Sequence, residues 1–167
     1  MHRLAEEVVS VDASVIVDFH LTGELALLQE LFSGWLLMSD FVEQELIEAD
    51  IQLTTVQTVA LSSAEEWEFF ADVGHREPGL GLGELGALTV ARFHNATLVT
   101  NDRQARQAAE HFNLHVHGSL GVLEYATEVG RLSGQAAVTI LQEMIQQGAW
   151  ISDEFVELFR QRVLGSR

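Results

Sequence analysis

Ala96-Thr97-Leu98-Val99-Thr100-Asn101-Asp102-Arg103 decides how this chain is to be read. Ala96 to Thr100 is an uncharged, β-prone run. The polar pair Asn101-Asp102 then opens a helical pattern, Arg103 to Phe112, which Asn113 ends. A short run without charge is what a strand buried on both faces looks like, and a helix starting at once behind it makes a βα unit. The same order occurs upstream. Val8 to Val11 runs into Asp12 and a segment Ala13 to Phe19, and Trp35 to Met38 runs into Ser39, a candidate N-cap for a helix through Ile47. With Leu114 to His117 as a further strand, and Ile51 to Val59 as a strand or an extended connection, the pattern predicts an α/β protein with a mainly parallel central sheet.

The remaining segments read as helices. Glu24 to Phe32 lies between Thr22-Gly23 and Ser33-Gly34, with Leu25, Leu28 and Phe32 at helical spacing. Ser62 and Ser63 each precede a glutamate by three residues, Glu65 and Glu66, giving two overlapping capping-box registers for a helix to about Ala71. Gly74 to Gly83, with the only proline and four glycines, is the strongest loop signal, after which Glu84 to Phe93 resumes helical spacing. Leu120 to Val129 ends at Gly130. Ser133 opens Gln135 to Gln147, and Ser152 opens Asp153 to Val163. No strand separates these last two helices, which predicts a carboxy-terminal helical hairpin over about 133–164. One domain over residues 1–167 is expected, since 167 residues with 47% hydrophobic content suffice for one well-covered core and are few for two.

Composition removes several classes of function. The absence of cysteine rules out a disulfide framework and a thiolate metal site. Apolar stretches such as Val8 to Phe19 are short and broken by Asp12 and Asp18, so no membrane span is expected. Met1 to Glu7 carries acids where a secretory signal carries basic residues, and a cytoplasmic location is the expectation. Nine arginines and no lysine stand against 25 acidic residues, a net charge of -16, which argues against broad, nonspecific nucleic-acid binding. A basic protein partner is compatible with such a surface.

Four acids then stand out by position. Asp12 and Asp102 follow apolar strands, where the ligand crevice of an open parallel sheet lies. Glu45 falls in the helix after the second strand, and Glu84 in the first turn after the glycine-rich loop. Carboxylates collected without counter-charge repel one another, and a fold that gathers them commonly does so around a cation. All-oxygen ligation suits Mg²⁺ or Mn²⁺, and the matching chemistry is metal-assisted hydrolysis of a phosphodiester. Ser14 and Thr100 are candidates to hydrogen-bond those carboxylates. Arg103 and Arg106 can meet substrate phosphates or pair with local acids. Taken singly, each acid also has a structural reading: Asp12 and Asp102 as helix caps, Glu45 as a solvated helix acid, Glu84 as a partner of its helix dipole.

The pieces Val9-Ser10-Val11-Asp12-Ala13-Ser14, Val42-Glu43-Gln44-Glu45-Leu46, Leu82-Gly83-Glu84-Leu85-Gly86-Ala87 and Leu98-Val99-Thr100-Asn101-Asp102-Arg103 occur in an order and spacing that resemble a PIN domain over about residues 7–130. This is the nuclease fold of VapC-like toxins. The Gly-Glu at the third piece, with arginine four residues after the last aspartate, resembles a less studied branch of that family. The resemblance implies a three-layer α/β/α fold. It also implies that Asp12, Glu45, Glu84 and Asp102 are the metal-binding, catalytic acids, with Ser14 and Thr100 in support. The implied activity is that of an Mg²⁺- or Mn²⁺-dependent endoribonuclease acting on RNA, the toxin of a type II toxin-antitoxin module, dimeric and held by a cognate antitoxin. The competing expectation is a PIN-like module with weak or no catalysis that binds a basic protein through its acidic surface.

Other features have plainer readings. His115 and His117 would share a strand face, where two histidines without a third ligand are more often strand residues than a metal site. Gly79 to Gly83 lacks the Gly-Lys-Ser/Thr ending of a phosphate-binding loop. The Trp67, Phe69, Phe70 and the Trp150, Phe155, Phe159 groups read first as core or dimer contacts and second as stacking platforms for bases.

Overall fold

A computed structural model describes Leu4 and residues 7–165; most of the acidic Met1 to Glu7 stretch lies outside the described residues. The strands are β1 (Val9–Val11), β2 (Leu36–Ser39), β3 (Gln57–Val59), β4 (Thr97–Val99) and β5 (Val116–His117). They form one sheet in the order β3-β2-β1-β4-β5, parallel at every pairing. Val9 pairs with Leu36 on one side and Thr97 on the other. The chain thus lays β2 and β3 to one side of β1 and β4 and β5 to the other, which puts the reversal of strand order between β1 and β4.

Helices α1 (Ala13–Leu21) and α2 (Leu25–Leu31) follow β1, and α3 (Asp40–Glu48) follows β2. Next come α4 (Ala64–Arg76), α5 (Leu82–Phe93), α6 (Arg103–His111), α7 (Ser119–Glu128), α8 (Gly134–Gln146) and α9 (Asp153–Gly165). Buried along most of its length, α5 lies across β2, β1 and β4 with α3, α4 and α6 beside it. Ser10, fully buried in β1, donates its hydroxyl to the Ala87 carbonyl of α5 at 2.8 Å. Helices α1, α7, α8 and α9 pack on one another as the other layer, around Ile16, Phe19, Leu123, Leu141, Met144 and Phe159. This is the expected three-layer α/β/α fold with carboxy-terminal helices. Among the described residues, no helix is long and apolar enough to cross a membrane.

Three local expectations change. Helix α4 runs past Ala71 to Arg76 and takes in Gly74, which lies close against α5: a Cβ there would stand 3.1 Å from the end of the Leu85 side chain. Of the two capping registers only Ser63 with Glu66 forms, and Glu66 Oε2 accepts from the backbone amides of both Ser62 and Ser63 at 2.7 Å. The stretch Ile51 to Val59 yields a strand only at Gln57–Val59, since Gln29 Oε1 on α2 takes the amides of Thr54 and Thr55 at 2.6 and 3.0 Å. The two aromatic groups also divide. Phe159 is buried while Trp150 is 90% exposed, and Trp67 joins Phe41 and Phe70 at a half-open surface while Phe69 turns to Phe93 and Phe112.

Candidate metal centre

Because β1 and β4 flank the reversal of strand order, their carboxyl ends open on the same crevice, and Asp12 and Asp102 are the residues delivered there. Asp12 occupies the position before α1 but makes no capping bond with its side chain. Its carboxylate is buried, and Oδ2 accepts hydroxyl hydrogens from Ser14 at 2.7 Å and Thr100 at 2.8 Å. Each of these hydroxyls in turn accepts a backbone N–H: Asn101 donates to Ser14 Oγ and Asp102 to Thr100 Oγ1, both at 3.1 Å. A hydroxyl that already accepts an amide hydrogen turns its own hydrogen elsewhere, here toward Asp12. The consecutive amides of the β4–α6 turn therefore fix the direction in which both supporting hydroxyls point.

Asp102 has the capping role that Asp12 lacks. Its Oδ1 accepts from Ala105 N at 2.7 Å and starts α6. Arg106 donates to the Thr100 carbonyl at 3.3 Å and so binds the end of β4, while Arg103 is exposed. Of the two arginines read as meeting substrate phosphates or pairing with local acids, Arg106 thus has a structural partner of neither kind, a backbone carbonyl.

Glu45 and Glu84 come to the crevice on α3 and α5. Burial, and after it the charges of Asp12 and Glu84, raise the pKa of Glu45, although the residue stays largely open to solvent. Burial is also the main cause of the raised pKa of Glu84, and the charges of Asp12 and Asp102 add to it. Backbone amides act against both rises: that of Gly83 on Glu45, and those of Glu84 and Gly81 on Glu84. The first turn of α5 thus holds two carboxylates at its positive end. Gly83 is essential to this contact, because a Cβ there would overlap the Glu45 carboxyl.

The four acids hence belong to one electrostatic group, in which Asp12 imposes charge on Glu45 and Glu84, and Glu84 feels or imposes charge on all three others. They are spread across it: among the described residues, no three Asp, Glu or His side chains stand close enough to hold an ion together. A hard cation that keeps several waters and binds one or two carboxylates directly suits such a spacing, and every donor present is oxygen. The part the sequence did not reveal is Asn101, whose backbone orients Ser14; an asparagine between a strand and a helix reads simply as a turn residue.

No curated protein matches the chain. A family model described as a PIN domain matches residues 8–164, which takes in all five strands, the four acids and most of the carboxy-terminal helices. On that match and this topology, the chain belongs to the PIN-domain family, whose members are in general nucleases.

Proposed function

We propose that the protein is an Mg²⁺- or Mn²⁺-dependent endoribonuclease that hydrolyses RNA phosphodiesters, acting as the toxin of a type II toxin-antitoxin module. The observation that carries this reading is the raised pKa of Glu45 and Glu84, caused first by burial and then by the neighbouring charges of Asp12 and Asp102 and, on Glu45, of Glu84, with no cationic side chain among the causes. When bound, the cation would supply charge neutralisation and a water of lowered pKa. Asp12 is the direct ligand on this reading, because both supporting hydroxyls fall on Oδ2 and Oδ1 is left to the cation. Asp102, whose Oδ1 starts α6, and Glu84, bound by the amides of α5, act from fixed positions. Glu45, the most open of the four, is the group best placed to exchange a proton with solvent. Arg103 is the arginine assigned to substrate phosphate.

The same reading includes a cognate antitoxin and a homodimer. Support for a protein partner comes from the net charge of -16 and from apolar side chains left open on the carboxy-terminal helices, Phe155, Leu158 and Leu164 among them. The decisive experiment is cleavage of single-stranded RNA by purified protein with and without Mn²⁺, repeated with Asp12→Asn. Cleavage that needs Mn²⁺ and disappears in the folded variant is expected. Cleavage that survives the substitution removes the centre from the reaction. Absence of cleavage, with partner binding unchanged in the variant, would favour the noncatalytic binding module.

A further inference from the structure

Behind the Asp12 carboxylate lies a second set of polar contacts that the four acids do not explain. Asp18 is one helical turn beyond Ser14 on α1, and therefore on the same face. Its Oδ2 accepts from Asn101 Nδ2 at 2.8 Å and from Ser119 Oγ at 2.9 Å. Asn101 Nδ2 also donates to Ser119 Oγ at 2.8 Å, and the Ser119 amide closes the ring by donating to Asn101 Oδ1 at 2.9 Å. Three elements far apart in the chain, α1, the β4–α6 turn and the start of α7, thus meet at one asparagine whose amide group has both its oxygen and its nitrogen engaged. Gly118 makes room for it, since a Cβ there would stand 2.6 Å from Asn101 Oδ1.

The consequence runs back to the metal centre. With its side chain held from two sides, Asn101 keeps its backbone N–H on Ser14 Oγ, and Ser14 therefore keeps its hydrogen on Asp12 Oδ2. We infer that Asp18 and Ser119 are positioning residues which, through Asn101 and Ser14, set the Asp12 carboxylate in the orientation that receives the cation. The inference rests on the metal-dependent reading above. Its distinguishing feature is that both bonds to Asp18 fall on one oxygen. Asn at position 18 can offer its single carbonyl oxygen to the same two donors, so acceptance, and not negative charge, is what the site requires. Burial raises the pKa of Asp18 while these two hydrogen bonds lower it, in keeping with a carboxyl held for its lone pairs.

The test is Mn²⁺ binding, followed by the electron paramagnetic resonance of the free ion, on wild type, Asp12→Asn, Asp18→Asn, Asp18→Ala and Ser119→Ala, with thermal melts to establish folding. Wild type is expected to bind and Asp12→Asn to lose binding. Loss of a supporting contact behind a ligand typically weakens metal affinity by about tenfold or more. Asp18→Ala is accordingly expected to weaken Mn²⁺ binding about tenfold, with Asp18→Asn within about threefold of wild type and Ser119→Ala shifted in the same direction as Asp18→Ala. Equal loss in Asp18→Asn and Asp18→Ala would overturn the inference in favour of charge. Unchanged binding in Asp18→Ala and Ser119→Ala, with Asp12→Asn defective, would overturn it while leaving the metal reading in place. Wild type without Mn²⁺ binding would remove both. Should Asp18→Ala not fold, Ser119→Ala decides.

Discussion

At the scale of single residues, the raised pKa values of Glu45 and Glu84 have a definite thermodynamic sign. A carboxyl that holds its proton more tightly in the native state than in the unfolded chain makes the native state lose stability as pH rises from the ordinary value of 4.5 through the raised one. Metal-free protein is therefore expected to melt at progressively lower temperature across that window. Glu84→Gln should flatten the dependence, and Mn²⁺ should stabilise only on its upper side, where the carboxylates are charged. A melting temperature that climbs over the same range would contradict this origin of the shifts. Gly83 gives a second test. Its absent side chain leaves room for the far end of a flexible Glu45, so Gly83→Ala is expected to leave the urea midpoint near that of wild type while lowering Mn²⁺-dependent cleavage at least tenfold, an effect typical of disturbed supporting contacts. A large loss of stability would mean the backbone, and not Glu45, gives way.

The legibility of these residues followed their distance from a strand. Asp12, Ser14, Thr100 and Asp102 sit at or just past the ends of apolar runs, where pattern and chemistry coincide, and the structure joins them by hydrogen bonds. Asp18 and Ser119 are 101 residues apart and look like any helix acid and any helix-start serine. Nothing local announces that Asn101 ties them together.

Among the elements, those marked by their own end signals were read well and those decided by a distant partner were not. Ser39, Ser63 and Ser133 each accept an amide from the residue three positions on, as N-caps do. The extension of α4 through Gly74 packs it against Leu85, and the choice within Ile51 to Val59 between strand and extended connection falls beside Gln29, neither partner being visible within the segment concerned. The capping box of α4 is a clean place to measure local stability. Ser63→Ala removes one acceptor and leaves the Glu66 contacts without their reciprocal bond, at a cost of about 1 kcal/mol in unfolding free energy. Urea denaturation reads this directly, and the Mn²⁺ affinity of the folded fraction is expected to be that of wild type, because α4 contributes none of the four acids. A coupled loss of affinity would show that α4 sets the placement of α5.

For the molecule as a whole, charge sets the terms on which the proposed RNA substrate would be met. A strongly basic RNA-binding protein weakens as salt rises, because each phosphate contact releases counterions. Here the net charge of -16 would repel such a substrate, and among the described residues Arg131 and Arg162 are paired with Glu30 and Glu124. Added salt shortens the screening length to about 10 Å at 0.1 M and so relieves that repulsion. The KM for single-stranded RNA is therefore expected to fall between low and moderate ionic strength. A steep rise over the same range would reveal a basic groove that outweighs the surface.

The central place of β1 has a bearing on how a cell makes this protein. Strand β1 is sandwiched between one that follows it soon after in the chain and one that begins at Thr97, and the Asp12 carboxylate waits for a hydroxyl 88 residues downstream. Contacts this remote in sequence form late, since the chain between them must first be available to close the loop. A nascent or prematurely terminated polypeptide consequently carries the first acid without the neighbours that orient it, and the proposed centre comes together only once the chain through Asp102 has been made.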